Sequence, residues 1–245
     1  MKKHLLLFLC IVFTTILSAQ SGLQGKVFYT VSLKAYNEQY VDSIFKKEKT
    51  TKFAEQYLIK MFKNTKDVTS VLRFSKNESL YDVESKLKNE ANKNFNMTAT
   101  IAGGNTIYYT NSGKKDYYKQ FNREEPLRVD ILPIKWTITQ ETKKIGDYLC
   151  FKAVAVKKVR DNKPLIKIAA WFTPTIPVSF GPIDYFGLPG LILEVSYNRI
   201  NIKATKIVLN PKEKIVINKP TKGKRMTNEE YEEMNRNFFK DLGRK

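Results

Sequence analysis

The sequence predicts a mainly β protein: a single curved antiparallel sheet, open or half-barrel, with two packed α-helices. Three observations predict it. Runs in which apolar and polar residues alternate recur through most of the chain, as half-buried strands require. Turn-forming residues separate these runs at hairpin spacing, not at the spacing of strand–helix units. Only two stretches carry the apolar repeat of an amphipathic helix. With 42% hydrophobic and 12% aromatic residues among 245, the chain has enough apolar surface for a core, which argues against intrinsic disorder.

The first element is a leader. Lys2 and Lys3 precede an apolar run from Leu5 to Leu17, followed by Ser18 and Ala19, the layout of an export signal cut near residue 19. The run is shorter than the roughly 20 residues a membrane-spanning helix needs. Cys10 lies inside it and not behind small residues at its end, so it reads poorly as a lipid-attachment site. Residues 20–245 then form a single domain, exported to the periplasm or the outer membrane, with no transmembrane segment.

Val27, Tyr29, Val31 and Leu33 alternate as a first strand. Phe53, Tyr57 and Met61, with Ala54, Leu58 and Phe62 beside them, place an apolar stripe on a helix over residues 51–63 that would cover the sheet. Val68, Ser70, Leu72 and Phe74 turn through residues 76–79 into Leu80, Tyr81 and Val83. Residues 86–94 read as a loop. Phe95, Met97, Ala99 and Ile101 alternate as a strand, and Gly103, Gly104 and Asn105 suit a tight hairpin into residues 107–109. A second hairpin signal at Asn111, Ser112 and Gly113 leads to Tyr117, Tyr118 and Phe121. Residues 134–139, 148–156, 165–172, 191–197 and 200–209 complete about eleven strands, with turns at 161–164 and at Asn198 and Arg199. Thr227 and Glu230 form a capping box for a last helix carrying Tyr231, Met234, Phe238 and Leu242 before Gly243. Both apolar stripes suit a core, although a partner-binding helix has the same pattern.

Removing the leader changes the chemistry. It takes away His4, the only histidine, and Cys10, leaving Cys150 as the single thiol. A Ser-His-Asp or Cys-His nucleophile, the usual His/Cys metal sites and an intrachain disulfide are thereby excluded. No catalytic, metal or cofactor site is expected. What survives for an enzyme is paired carboxylates, a Ser/Lys pair or an oxygen-ligated divalent cation, and the rival reading takes the first, two of Glu141, Asp147, Asp184 and Glu194 acting on an envelope glycan. The formal charge of +19 loses two units with the leader and remains strongly basic, which points to an anionic envelope surface or an acidic partner. Nucleic acid is not expected after export. Only eight of the 43 basic residues are arginine, and planar phosphate recognition favours arginine. Scattered lysines also serve simply as a solvated surface.

The most informative stretch runs from Trp136 to Val195. In Leu188-Pro189-Gly190-Leu191, proline at the second position and glycine at the third specify a type II turn, with a strand starting directly after it. Pro174, Pro177 and Pro182 cannot donate to a ladder, so residues 173–186 form a constrained loop that displays Phe180, Tyr185 and Phe186. This segment resembles the GLPGLI family of secreted Bacteroidetes proteins. The naming motif stands at residues 187–192, the cysteine-centred strand at 145–153, the aromatic-Thr-Pro element at 171–177, and Phe-Gly-Pro at Phe180, Gly181 and Pro182. The resemblance covers about a quarter of the chain and implies export and domain boundaries; the family brings no established activity.

The distinctive residues each have two readings. Gly181, Pro182, Gly187, Pro189 and Gly190 are explained by loop geometry or by ligand contact. Trp136 and Trp171 are sheet-packing residues or stacking platforms. Cys150 fits a buried small apolar side chain. Asp42, Ser43 and Ile44 match a loose O-glycosylation pattern. The expected function is a non-enzymatic envelope binding module that holds an apolar ligand or a partner segment, with Trp171, Phe180, Tyr185, Phe186 and Leu188 as candidate binding residues. An interaction subunit of an outer-membrane export or uptake system and the carboxylate hydrolase are the alternatives.

Overall fold

The computed structural model describes residues 22–34, 65–84, 96–157 and 165–242. The leader, the proposed glycosylation tripeptide, the helix expected at 51–63, the loop at 86–94 and the turn at 161–164 lie outside the described residues. The described chain forms one twelve-stranded sheet: β1 (Gln24–Leu33), β2 (Val68–Ser75), β3 (Glu78–Val83), β4 (Thr106–Asn111), β5 (Asp116–Phe121), β6 (Leu127–Asp130), β7 (Thr137–Ile145), β8 (Tyr148–Lys157), β9 (Ile166–Thr173), β10 (Leu191–Tyr197), β11 (Ile200–Leu209) and β12 (Lys224–Met226). Two helices accompany it, α1 (Met97–Ile101) and α2 (Asn228–Leu242).

The spatial order is β12-β6-β5-β4-β3-β2-β1-β11-β10-β9-β8-β7, so the sheet is open, with β12 and β7 as its edges. Its strands pair antiparallel except β12, which runs parallel to β6. The sheet is therefore mixed and not purely antiparallel as expected. β1 sits near its centre, joining the hairpin series β2–β6 on one side to β7–β11 on the other. The period-two alternation of Val27, Tyr29 and Val31 puts these residues fully inside the core.

That core fills the inner face. Tyr29, Phe74, Tyr81, Phe172 and Phe180 are among its largest buried side chains. The buried phenols all find acceptors: Tyr29 donates to the Ile192 carbonyl at 2.6 Å, and Tyr81 to Ser70 Oγ at 2.8 Å. The sheet bends around this core. Tyr117 of β5 stacks at 4.6 Å on Phe186, in the loop before β10, although six strand intervals, about 29 Å on a flat sheet, separate β5 from β10.

The helices depart from expectation. Residues 97–101, expected as a strand, are α1: Asn96 accepts from the Thr98 N–H as its cap, and the Gly104 N–H closes the far end on the Ala99 carbonyl at 2.8 Å. A short-range cap competes successfully with an alternation of only four apolar residues. In α2 the capping box forms as read, Thr227 N–H donating to Glu230 Oε2 at 2.7 Å and Glu230 N–H to Thr227 Oγ1 at 3.1 Å. Its core-like stripe does not become core, because Met234 and Phe238 are 37% and 60% exposed. Tyr231 stacks on Phe121 at 5.4 Å.

Between β11 and β12 the chain forms a strap that leaves the start of β1 and crosses the outer face of β4–β6. Ile215 N–H donates to Gln24 Oε1 at 2.8 Å, Lys222 N–H to Gln120 Oε1 at 2.9 Å, and Tyr118 to the Pro220 carbonyl at 2.6 Å. The strap is clamped by Asp116, which accepts from Lys219 and Arg225, each at 2.8 Å.

Candidate functional site

The motif loop, residues 174–190, is the first place to look, and its geometry is that of a plug. Phe180, Tyr185, Phe186 and Leu188 are only 1, 4, 5 and 1% exposed. They are not displayed, as the sequence reading expected, but packed: Phe180 lies 6.0 Å from Phe74, Tyr185 lies 5.9 Å from Tyr197, and Trp136 Nε1 donates to the Phe186 carbonyl at 2.9 Å. The prolines leave few donors, and the loop uses its carbonyls instead. Ile176 and Phe180 accept from the Leu191 and Ile192 amides, each at 3.0 Å, binding the loop to the start of β10.

The type II turn is absent. Its hydrogen bond would run from Leu191 N–H to the Leu188 carbonyl, but Leu191 donates to Ile176. The Gly190 N–H instead reaches the Leu188 carbonyl at 2.8 Å, a three-residue turn centred on Pro189. Gly190, at φ +154°, is needed for close approach: a Cβ would stand 2.3 Å from the Thr173 carbonyl oxygen. Gly181 is similarly confined, with the Tyr185 carbonyl oxygen 2.4 Å from where its Cβ would be. Gly187 differs, having φ +93° and open space beside it, so its requirement is conformational. Pro182 accepts from the Tyr185 amide at 3.0 Å in a local turn.

Of the four carboxylates, Glu141 and Glu194 are each engaged by a lysine that stands over the Trp171 ring, and Asp184 and Asp147 lie apart from that ring. Glu141 pairs with Lys152 and Glu194 with Lys143, both at 2.9 Å, while Asp184 pairs with Lys157. Asp147 is exposed in the β7–β8 turn. Cys150 is buried and free, and burial pushes its thiol up to about 11. Trp136 packs at 6.5 Å on Tyr185, whereas Trp171 is half-buried under Lys143, whose Nζ lies 4.3 Å from its ring centre. Among the described residues no three Cys, Asp or Glu side chains cluster as metal ligands would, and no helix is long and apolar enough to cross a membrane.

The site the sequence did not reveal lies on the outer face of β7–β11, the half that the strap leaves bare. Strand register places Thr137, Val154, Ala169, Ser196 and Asn201 directly opposite one another on β7, β8, β9, β10 and β11. These small or short side chains form the floor of a trench of about 1000 Å³. It crosses four inter-strand gaps, roughly 19 Å. One wall is the row two residues along, where Glu194, Trp171 and Lys152 are in register and the charges are already paired. The opposite wall carries Lys167, with Lys135 and Lys34 at its ends. These three lysines have no carboxylate partner among the described residues. Among its lining residues the trench thus carries its free positive charge along one wall, while Lys203, in register with Glu194 on β11 just outside that lining, stands without a carboxylate partner among the described residues at the end of the other.

A family described as a protein of unknown function (Porph_ging) matches residues 136–165 and 160–194. These are the residues that carry the resemblance noted above, and the GLPGLI name itself is not confirmed by the match. No curated protein matches the chain. Among solved structures, the chain is similar to PNGF-II in its P21 space group, with 18% identity and a TM-score of 0.52, and in its C2 space group, with 17% identity and a TM-score of 0.53. Each alignment covers 86% of this chain and 32% of that one, so the chain spans about a third of the solved chains it matches. At this identity the likeness is one of fold.

Proposed function

We propose that the protein is an exported, non-enzymatic binding module of the cell envelope that holds an elongated anionic ligand in the trench on the outer face of β7–β11. The observation that carries this reading is the wall of Lys34, Lys167 and Lys135, three ammonium groups set in a row along one side of a concave floor without a carboxylate partner among the described residues. A concave surface lined by one sign of charge raises the local potential for the opposite sign, so a site of this kind favours an anion. The inner face, where an apolar ligand was expected, is filled in its described part by Phe180, Tyr185 and Leu188 of the chain's own loop. The three engaged carboxylates support binding over hydrolysis. Export rests on the leader at residues 1–19.

Binding of dextran sulfate, followed calorimetrically at rising salt, tests the reading. We expect affinity to fall steeply as the Debye length shortens. The Lys135→Glu/Lys167→Glu variant, altered only at exposed positions, loses affinity by tenfold or more with its melting temperature unchanged. An unaltered affinity in that variant would refute the site.

A further inference from the structure

We infer that the ligand of the trench is an acidic polysaccharide, lying across the strands with its anionic groups turned toward the Lys34–Lys167–Lys135 wall. The inference rests on the anionic reading above and names the class within it. Two features select a sugar chain over an acidic peptide. Most of the floor lies inside the sheet, where β8, β9 and β10 each pair with a strand on either side, so an extended peptide laid across them meets an unpaired edge only at β7. Its amide groups would be partly buried without main-chain partners, a cost of about 1–3 kcal/mol for each unsatisfied group. The floor instead offers the hydroxyls of Thr137 and Ser196 and the amide of Asn201, with Val154 and Ala169 between them. Hydroxyl-to-hydroxyl and hydroxyl-to-amide hydrogen bonds alternating with small apolar patches suit a sugar, whose ring carries hydroxyls at its rim and C–H groups on its faces.

The direction of the chain follows from the sidedness of the charge. On one wall, Glu194 is neutralised by Lys143 and Lys152 by Glu141, which leaves Lys203, at the β11 end and outside the trench lining, as its one lysine without a carboxylate partner among the described residues. On the other, Lys34, Lys167 and Lys135 are spread over five strand intervals from β1 to β7. A chain running across the strands passes all three, whereas a chain parallel to the strands meets only one. Carboxylate and phosphate substituents satisfy this wall equally, so the shared chemistry is an anionic group carried on one side of a glycan.

The test is calorimetric binding of an oligogalacturonate, its fully methyl-esterified form, a phosphorylated mannan oligosaccharide and polyglutamate of matched charge to the exported chain. We expect at least one acidic oligosaccharide to bind tenfold or more tighter than both the uncharged ester and polyglutamate. The Lys135→Glu/Lys167→Glu variant should lose tenfold or more. Lys212→Glu/Lys214→Glu, the same charge change on exposed positions of the strap, should stay within twofold. The Glu141→Gln/Lys152→Gln variant, which deletes a neutral pair from the opposite wall, should also stay within twofold. Polyglutamate binding as tightly as the sugars overturns the glycan class and leaves the anionic reading standing. Failure of all four ligands together with dextran sulfate overturns both. Equal losses in the strap variant show an effect of net charge alone, and a tenfold loss in Glu141→Gln/Lys152→Gln overturns the one-sided orientation.

Discussion

Gly190 shows how a motif glycine can be required for a reason its tripeptide does not reveal. Pro-Gly reads as a type II turn, but the residue stands against the end of β9, where a Cβ would lie 2.3 Å from one backbone atom and 2.6 Å from the next. Backbone cannot rotate away as a side chain can. We therefore expect Gly190→Ala to lose at least about 1–3 kcal/mol, the range of overpacking in a filled core, and Gly190→Val to lose more. Gly187→Ala, with space around it and only φ to accommodate, should cost about 1 kcal/mol. Urea unfolding of the three variants gives the ranking, and a Gly190→Ala protein as stable as the wild type would remove the close approach from the account. Leu188, at 1% exposure, belongs with the core and not with a contact surface. Cys150 poses a similar question of access. Burial raises its thiol to about 11, against smaller lowering effects from the Ile145 amide and Lys143, so little thiolate exists at neutral pH. Labelling with a thiol reagent should proceed in urea and hardly at all in native buffer; rapid native labelling would place the thiol at the surface.

At the scale of elements, the strap between β11 and β12 is clamped most heavily by Asp116, which takes both Lys219 and Arg225, with Asp130 accepting a second bond from Arg225 at 2.7 Å. Burial works against the charge on Asp116, but the hydrogen bonds from Lys219 and Arg225 outweigh it and hold the carboxyl below its ordinary value. A depressed folded value means that the stabilisation is fully present above the ordinary carboxylate range and is lost as pH falls through the folded value. Hydrogen exchange at Lys224–Met226 should accelerate at that acid limit, and Asp116→Asn should show the acceleration already at pH 7. Protection unchanged in Asp116→Asn would detach the strap from this clamp. The strap also marks where the sequence stops being legible. Long strands such as β1 and β11 announce themselves by alternation, and α2 by Thr227 and Glu230, because those signals are local. β6 and β12 have four and three residues, too few for a period to show. β12 pairs with β6 because Gly223 lets the chain approach Pro126, a long-range contact with no local sign. The motif loop was located correctly and its side chains misjudged, since prolines constrain a path without saying whether it runs over a surface or into a core. The trench was least legible of all, its floor and lysine wall being assembled by register from strands scattered between Lys34 and Asn201.

The whole molecule turns on β1, the strand through which its two hairpin series communicate. β1 pairs with β2 near it in sequence and with β11 some 180 residues away, so neither series acquires its full inner face until the long-range pairing closes. Closing contacts of that separation late is costly in chain entropy and makes folding slow. Once closed, the seam is reinforced from within: Tyr29, fully buried on β1, donates to the Ile192 carbonyl of β10 at 2.6 Å and meets Tyr81 of β3 edge-to-face at 6.4 Å. One side chain thus touches both series. Tyr29→Phe keeps the ring and removes the donor, leaving a buried carbonyl without this partner, a loss of about 1–3 kcal/mol. Because the seam is shared, that loss should not fall on one half. Trp136 and Trp171 lie on the β7–β10 side, so their fluorescence reports that series, while hydrogen exchange at β3–β5 reports the other. Both transitions in urea should coincide in the wild type and shift together in Tyr29→Phe, as a single cooperative unit requires. A variant in which the tryptophan transition moves and β3–β5 exchange stays in place would mean that the halves are stabilised independently and that β1 only tethers them.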